Sequence, residues 1–154
     1  MSKIKFFLLA IAFFVVVLMG KAVFSYDTDI AHPYLSEKAI EVFNGHIGNK
    51  ISQEEVGWMI NGAKAEDTPF RWMNHFYDPM ANKGLWGFPT AKNWSTANIM
   101  QIVYPLGNQT WQKALSSYAS GNKKEAFTAL GHVLHLIEDM AVPAHTRLDA
   151  HPEG

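Results

Sequence analysis

Apolar residues recur along this chain at helical spacing, and no stretch alternates as a strand would. Pro33 to Phe43 puts Leu35, Ala39, Ile40 and Phe43 on one stripe, with Pro33 suited to a first helical turn. Asn44-Gly45 is expected to end that helix. Ser52-Gln-Glu-Glu55 has the capping-box form and opens a second helix through Trp58, Met59, Ile60 and Ala63. It runs into Ala65-Glu66-Asp67-Thr68-Pro69, where the proline disfavours further helix. Asn93 to Tyr104 predicts a third helix, stopped around Pro105 and Gly107. Thr110 to Tyr118 predicts a fourth, with Trp111, Ala114, Leu115 and Tyr118 on one face. After the turn at Ser120-Gly-Asn122, Lys123 begins a fifth, which Pro143 stops. Between the second and third lie an aromatic cluster, Arg71 to Pro79, and a loop, Ala81 to Pro89, carrying Leu85, Trp86 and Phe88. The pattern predicts an all-α fold, a helical bundle with ligands projecting inward from several helices.

The beginning of the chain reads differently. Lys3 and Lys5 precede an uncharged, mostly apolar run from Phe6 to Gly20, the order of a secretory signal. That run is short for a membrane span. Val23-Phe24-Ser25 offers a cleavage site before Tyr26, so residues 1–25 are expected to be a signal peptide and 26–154 one helical domain, secreted or periplasmic. An uncleaved N-terminal anchor is the alternative, because Ala22-Val23-Phe24 extends the apolar stretch. The chain has no cysteine, which excludes disulfides and leaves the core or bound metals to stabilise an exported protein. Cleavage would take Lys3, Lys5 and Lys21 from the 154 residues, leaving 129 and moving the net charge from −1 to −4. There is no basic run and so no nucleic-acid footprint, although a nuclease working through metals alone needs none.

The chemistry gathers in Gly131-His-Val-Leu-His-Leu-Ile-Glu-Asp-Met-Ala-Val-Pro-Ala-His145. At roughly 100° per residue, His132, His135 and Asp139 project within about 60° of one another. His135 and Asp139, four residues apart, can reach one metal ion. Pro143 pushes Val142 out of the α region, so His145 falls just past the helix end, where the chain can turn back toward the same cavity. Imidazole and carboxylate without thiolate suit zinc at a hydrolytic site better than a structural one. A lone buried histidine is more often a satisfied core residue, but four metal-competent groups together would leave several polar groups needing partners. Elsewhere, His32 lies at or just before a helix N-terminus, and His75 sits among aromatics beside Asp78. Glu66 and Asp67 end a helix where the macrodipole disfavours anions, which a nearby cation would explain. His46 reads as a solvated loop residue.

These segments resemble the zinc-dependent phospholipase C and P1/S1 nuclease family, most closely its bacterial phospholipase C branch. The likeness spans 26–154, and its strongest part is His135-x3-Asp139-x5-His145. Ala31-His32-Pro-Tyr-Leu-Ser-Glu-Lys-Ala, Gly62-Ala-Lys-Ala-Glu-Asp67 and Asn74-His-Phe-Tyr-Asp-Pro79 follow in the family's order. The resemblance implies up to three zinc ions inside a helical bundle. It puts Asp67, His75, His135 and Asp139 on one ion, with Asp139 bridging to a second. That second ion would also take His32 and the amino group and carbonyl of Tyr26. The third would take His145, His151 and a glutamate beyond. His132 matches no ligand and is expected behind the ligands or in the core. The sequence departs from the family at Tyr26, where tryptophan is usual, and in a shorter gap from Asp67 to His75. Glu153 follows His151 by only two residues, so the sequence is expected to be incomplete at its C-terminus.

The function implied is a secreted zinc-dependent phosphodiesterase that hydrolyses phospholipid by metal-activated water. In it Asp67 would act as general base, with transient contact to a membrane surface and no protein partner in evidence. A P1-like single-strand nuclease is one alternative and predicts stacking aromatics such as Trp86 or Phe88. A non-catalytic exported metal-binding module is another, favoured by the incomplete end.

Overall fold

The computed structural model describes residues 30–48 and 50–150. The expected signal peptide, Tyr26, His151 and Glu153 lie outside them. Among the described residues the protein is all-helical, with no strand and one isolated antiparallel bridge between Asp78 and Lys83. The helices are α1 (Ala31–Ile47), α2 (Gln53–Glu66), α3 (Ala91–Trp94), α4 (Asn98–Gln101), α5 (Trp111–Ala119), α6 (Lys123–Asp139) and α7 (Pro143–Thr146). Short 3-10 turns occupy Trp72–Asn74 and Leu85–Gly87. None of these helices is long and apolar enough to cross a membrane.

Two expected boundaries move. Asn44-Gly45 lies inside α1, which ends instead at Gly48 with φ 83° and its N–H bonded to the Asn44 carbonyl. The Asn44 side chain is spent on the loop, pairing with both backbone groups of Ile51 at 2.8 and 3.0 Å. The single helix expected from Asn93 to Tyr104 is two four-residue helices, broken at Ala97 in extended backbone. Hydroxyls explain the break, since Ser95 and Thr96 donate back to the Lys92 carbonyl at 2.9 and 3.0 Å. Gln101 Nε2 takes the Trp94 carbonyl at 2.6 Å. The other helices begin and stop near their signals. The Ser52–Glu55 capping box forms, and Glu55 also accepts from Lys123 Nζ at 2.7 Å, joining the N-terminal ends of α2 and α6. Those bonds, the one from Lys123 foremost, hold the Glu55 carboxyl down at about 2 against the burial that would raise it.

The pair α2 and α6 is the spine, with α1 packed across both and α5 against α6. Two glycines permit it. A Cβ on Gly62 would lie 2.0 Å from the Thr128 carbonyl oxygen, and one on Gly131 would lie 2.0 Å from that of Met59. The helices therefore meet backbone to backbone. On one side Ile40, Val56, Met59 and Phe127 form an apolar cluster flanked by Trp58, Ile60, Leu130 and Leu134. Toward the C-terminal end of α6 a smaller cluster of Ala91, Trp94 and Leu136 takes over, with Tyr77, Tyr104 and Met140 against it. Beside the second cluster, where Trp94 Nε1 donates to Glu66, lies a buried polar centre, and burying charge there costs several kcal/mol unless it is paired.

Candidate metal centre

Each helix delivers its part of that centre by its register. His32 is the second residue of α1, Asp67 caps the C-terminus of α2, and His135 and Asp139 share one face at the end of α6. His75 follows the 3-10 turn after α2, and His145 sits in α7, where Pro143 at the first position restarts the chain. The Tyr77 N–H donates to the His145 carbonyl at 3.1 Å, which ties the two histidine-bearing segments together. Sequence positions spread from 32 to 145 thus converge within a few ångströms.

The separations are short and mutual. His75 Nδ1 lies 2.9 Å from Asp139 Oδ2, 3.4 Å from Asp67 Oδ1 and 3.2 Å from His135 Nε2. His135 Nε2 lies 3.2 Å from Asp139 Oδ2 and 3.5 Å from Asp67 Oδ1. The second Asp139 oxygen, Oδ1, faces two other imidazoles, His145 Nδ1 at 3.1 Å and His32 Nε2 at 3.5 Å. Two overlapping groups can hold a metal ion: His75, His135 and Asp139, and His32, Asp67 and His135. Zinc bonded at 2.0–2.1 Å in a tetrahedron separates its ligand atoms by about 3.3 Å. Within the group of His75 Nδ1, His135 Nε2 and Asp139 Oδ2 the separations run from 2.9 to 3.2 Å, close to that value, and Asp67 Oδ1 stands 3.4 and 3.5 Å from the two imidazoles.

Direction supports the same conclusion. Asp139 Oδ2 has two imidazole nitrogens within 3.2 Å yet no hydrogen-bond partner, so neither nitrogen is aimed at it as a donor. A fully buried carboxylate oxygen left this way carries a desolvation cost that a cation would remove. The donor set therefore fits a bound cation. Among the described residues these buried His and Asp groups can hold a metal ion.

The imidazoles and carboxylates of the cluster shift one another's pKa values. Burial works against charge on His75, but Asp139 and then Glu66 outweigh it and raise its pKa to about 9. Burial likewise opposes charge on His135, and Asp139 and Asp67 raise it to about 10. Asp139 is held well below the usual carboxylate range despite burial, chiefly by His75, with His135 and His145 adding to it. Asp67 is lowered in the same way by His135 and His75.

The anticipated cation near Glu66 is part of the protein. Glu66 is fully buried at the end of α2 and accepts from Arg71 Nε and Nη2 at 3.0 and 2.8 Å, from Trp94 Nε1 at 2.6 Å, and from His132 Nδ1. His132 is thus a core residue behind the ligands, and burial lowers its pKa. Arg71 also donates to the carbonyls of Pro105 and Gly107 and to Gln101 Oε1. Neither Arg71 nor Glu138, which accepts from His32, stands out in the sequence as part of the site. Arg71 has no periodic signal, and Glu138 is one of many helical glutamates. Asp78 stays apart, capping its own turn through Met80 N–H and Ala81 N–H. His46 is exposed, bonded to the Val42 carbonyl.

Compared with known proteins, the chain matches no family model, no curated protein and no solved structure.

Proposed function

We propose that the cluster is the zinc centre of a secreted phosphodiesterase of the phospholipase C type, of the zinc-dependent phospholipase C and P1/S1 nuclease family that the sequence resembles. One observation carries the reading: Asp139 offers one oxygen to His75 and His135 and the other to His32 and His145. A carboxylate so divided suits two ions rather than one, as in two-metal phosphodiester sites. Asp67, His75, His135 and Asp139 would hold the first zinc, and His32, Asp139 and His145 the groups for its neighbours. Bound zinc supplies Lewis-acid charge for phosphate oxygens and brings the pKa of a bound water toward neutrality. The remaining work falls to the chain. Asp67 and His145 are the least buried members of the cluster, with side chains 12% and 14% exposed, so substrate would approach on their side. Asp67 would accept a proton from the attacking water.

Phospholipid is preferred over nucleic acid on two grounds. The net charge of −1 with no basic run offers little to a polyphosphate backbone. Phe70, Met80 and Trp86, from 61 to 94% exposed, provide apolar side chains that a lipid surface would accept. The experiment is zinc per chain on dialysed, exported protein, with its N-terminus sequenced, followed by hydrolysis assays on phospholipid vesicles and on single-stranded DNA. Two or more zincs with phosphorylated headgroup released from vesicles, and a mature chain starting at Tyr26, is the expected result. Nucleotide release alone would move the reading to the nuclease. Tight zinc without either activity would leave a metal-binding module.

A further inference from the structure

We infer that Glu138 is a positioning residue: it fixes which nitrogen of His32 carries the proton and so keeps the other free to bind a metal ion. The inference rests on the reading of the cluster as a metal centre and goes beyond it to a residue that is not a ligand.

His32 is buried, with its side chain only 6% exposed, and its two ring nitrogens face opposite ways. Nδ1 lies 2.8 Å from Glu138 Oε2, and Nε2 lies 3.5 Å from Asp139 Oδ1. An ionised carboxylate only accepts, so the imidazole proton belongs on Nδ1 and Nε2 is left with its lone pair on the cluster side. The ring has little room to turn over, because it stacks on His135 at 3.8 Å between centroids and 26° between planes. Glu138 is itself held, since Oε1 accepts from Ser36 Oγ at 2.8 Å. Ser36 is fully buried and stands four residues after His32 on α1, one turn along the same face.

Adjacent residues on a helix project about 100° apart, so Glu138 and Asp139 leave α6 in different directions. Asp139 enters the cluster while Glu138 reaches α1 behind it. His32 is thereby approached from both sides by neighbouring residues of one helix. Of the two other buried imidazoles in the cluster, His135 Nδ1 has no hydrogen-bond partner, and His75 Nε2 has none either, with Glu66 Oε1 3.8 Å away. Among these three, His32 alone has a carboxylate within hydrogen-bond distance of its far nitrogen. Disturbing Glu138 should therefore weaken the His32 side of the cluster and spare the group of His75, His135 and Asp139.

The test is cobalt(II) titration of the metal-free full chain, read by its visible absorption, on wild type, Glu138→Gln, Glu138→Ala, His32→Ala and the double variant. Wild type should show a tighter and a weaker class of site. Glu138→Ala should weaken the second class about 10–100-fold and leave the first within twofold. Glu138→Gln, which keeps the shape and an accepting oxygen, should lose less. In the His32→Ala background, Glu138→Ala should cost nothing further, because it acts through His32. Imidazole 15N shifts should show the proton on Nδ1 of His32 in the zinc-loaded wild type and lose that signature in Glu138→Ala. A single class in the wild type, equal losses in both classes, or additive effects with His32→Ala would overturn the inference. No cobalt binding by the wild type would instead overturn the metal reading beneath it.

Discussion

Replacing Gly131 by alanine changes one hydrogen for a methyl group, and the structure predicts a large effect. The new Cβ would lie 2.0 Å from the Met59 carbonyl oxygen and 2.8 Å from its carbon, where real Cβ contacts stay beyond 3.0 Å. Both obstacles are backbone, so no side chain can swing aside. Relief requires α2 and α6 to part by about 1 Å, which loosens the packing of Met59 and Phe127 in the main apolar cluster. Overpacking of this kind costs about 3 kcal/mol at the upper end of the usual range. The gain in helix propensity from Gly to Ala returns about 1 kcal/mol, so the net loss is about 2 kcal/mol. For a domain of this size that lowers Tm by about 8 °C. The control is built in. Gly45 in α1 and Gly57 in α2 have nothing within 4 Å of an added Cβ, so Gly45→Ala and Gly57→Ala should each raise stability by about 0.5–1 kcal/mol. Thermal unfolding of all three, with chelator present to remove metal, reads the sign directly. A Gly131→Ala protein as stable as wild type, or controls that fall with it, would refute the close-contact argument.

Three further outcomes can be checked together. Asp139→Ala should strip more zinc than Asp67→Ala, because each oxygen of Asp139 faces a different pair of imidazoles; full zinc retention by elemental analysis would remove Asp139 from the centre. Arg71→Met leaves the fully buried Glu66 carboxylate without its guanidinium and should cost about 3–5 kcal/mol in urea unfolding; adding Glu66→Gln should recover part of it. The metal-free protein should lose stability on the alkaline side. His75 and His135, raised to about 9 and 10, contribute fully below their ordinary 6.5, and that contribution is lost as pH rises through the folded values. Zinc should flatten this limb, and its uptake at pH 7 should release at least one proton per chain, measurable by calorimetry in buffers of different ionisation enthalpy.

The sequence carried the helices wherever a periodic apolar stripe and a capping signal coincided, as in α2, α5 and α6. It misled where hydroxyl and amide side chains compete for the backbone, as Ser95, Thr96 and Gln101 do in breaking the expected third helix. Within the site, His135, Asp139 and His145 were legible because one helix and one proline fix their relative directions. His32, Asp67 and His75 were marked as ligands only by the family resemblance, and tertiary packing alone brings His32 and His75 to Asp139 and Asp67 to His135. Arg71 and Glu138 were not legible, because their partners lie 5 and 106 residues away and nothing local marks either side chain for burial or support.

The glycine contact between α2 and α6 also bears on which cations the protein can discriminate. Asp67 leaves the end of one helix and His135 the face of the other, and the two helices already touch backbone to backbone. The gap that their side chains must bridge is therefore gauged by main chain, which does not adjust as rotamers do. Calcium prefers oxygen at 2.3–2.6 Å and more ligands, and it would need donors such as Asp67 and His135 about half an ångström further apart. Widening the gap means prising open the spine of the fold. For an ion held by this cluster, selection by size would in this way be coupled to the stability of the whole domain, and a substitution that relaxes one should relax the other.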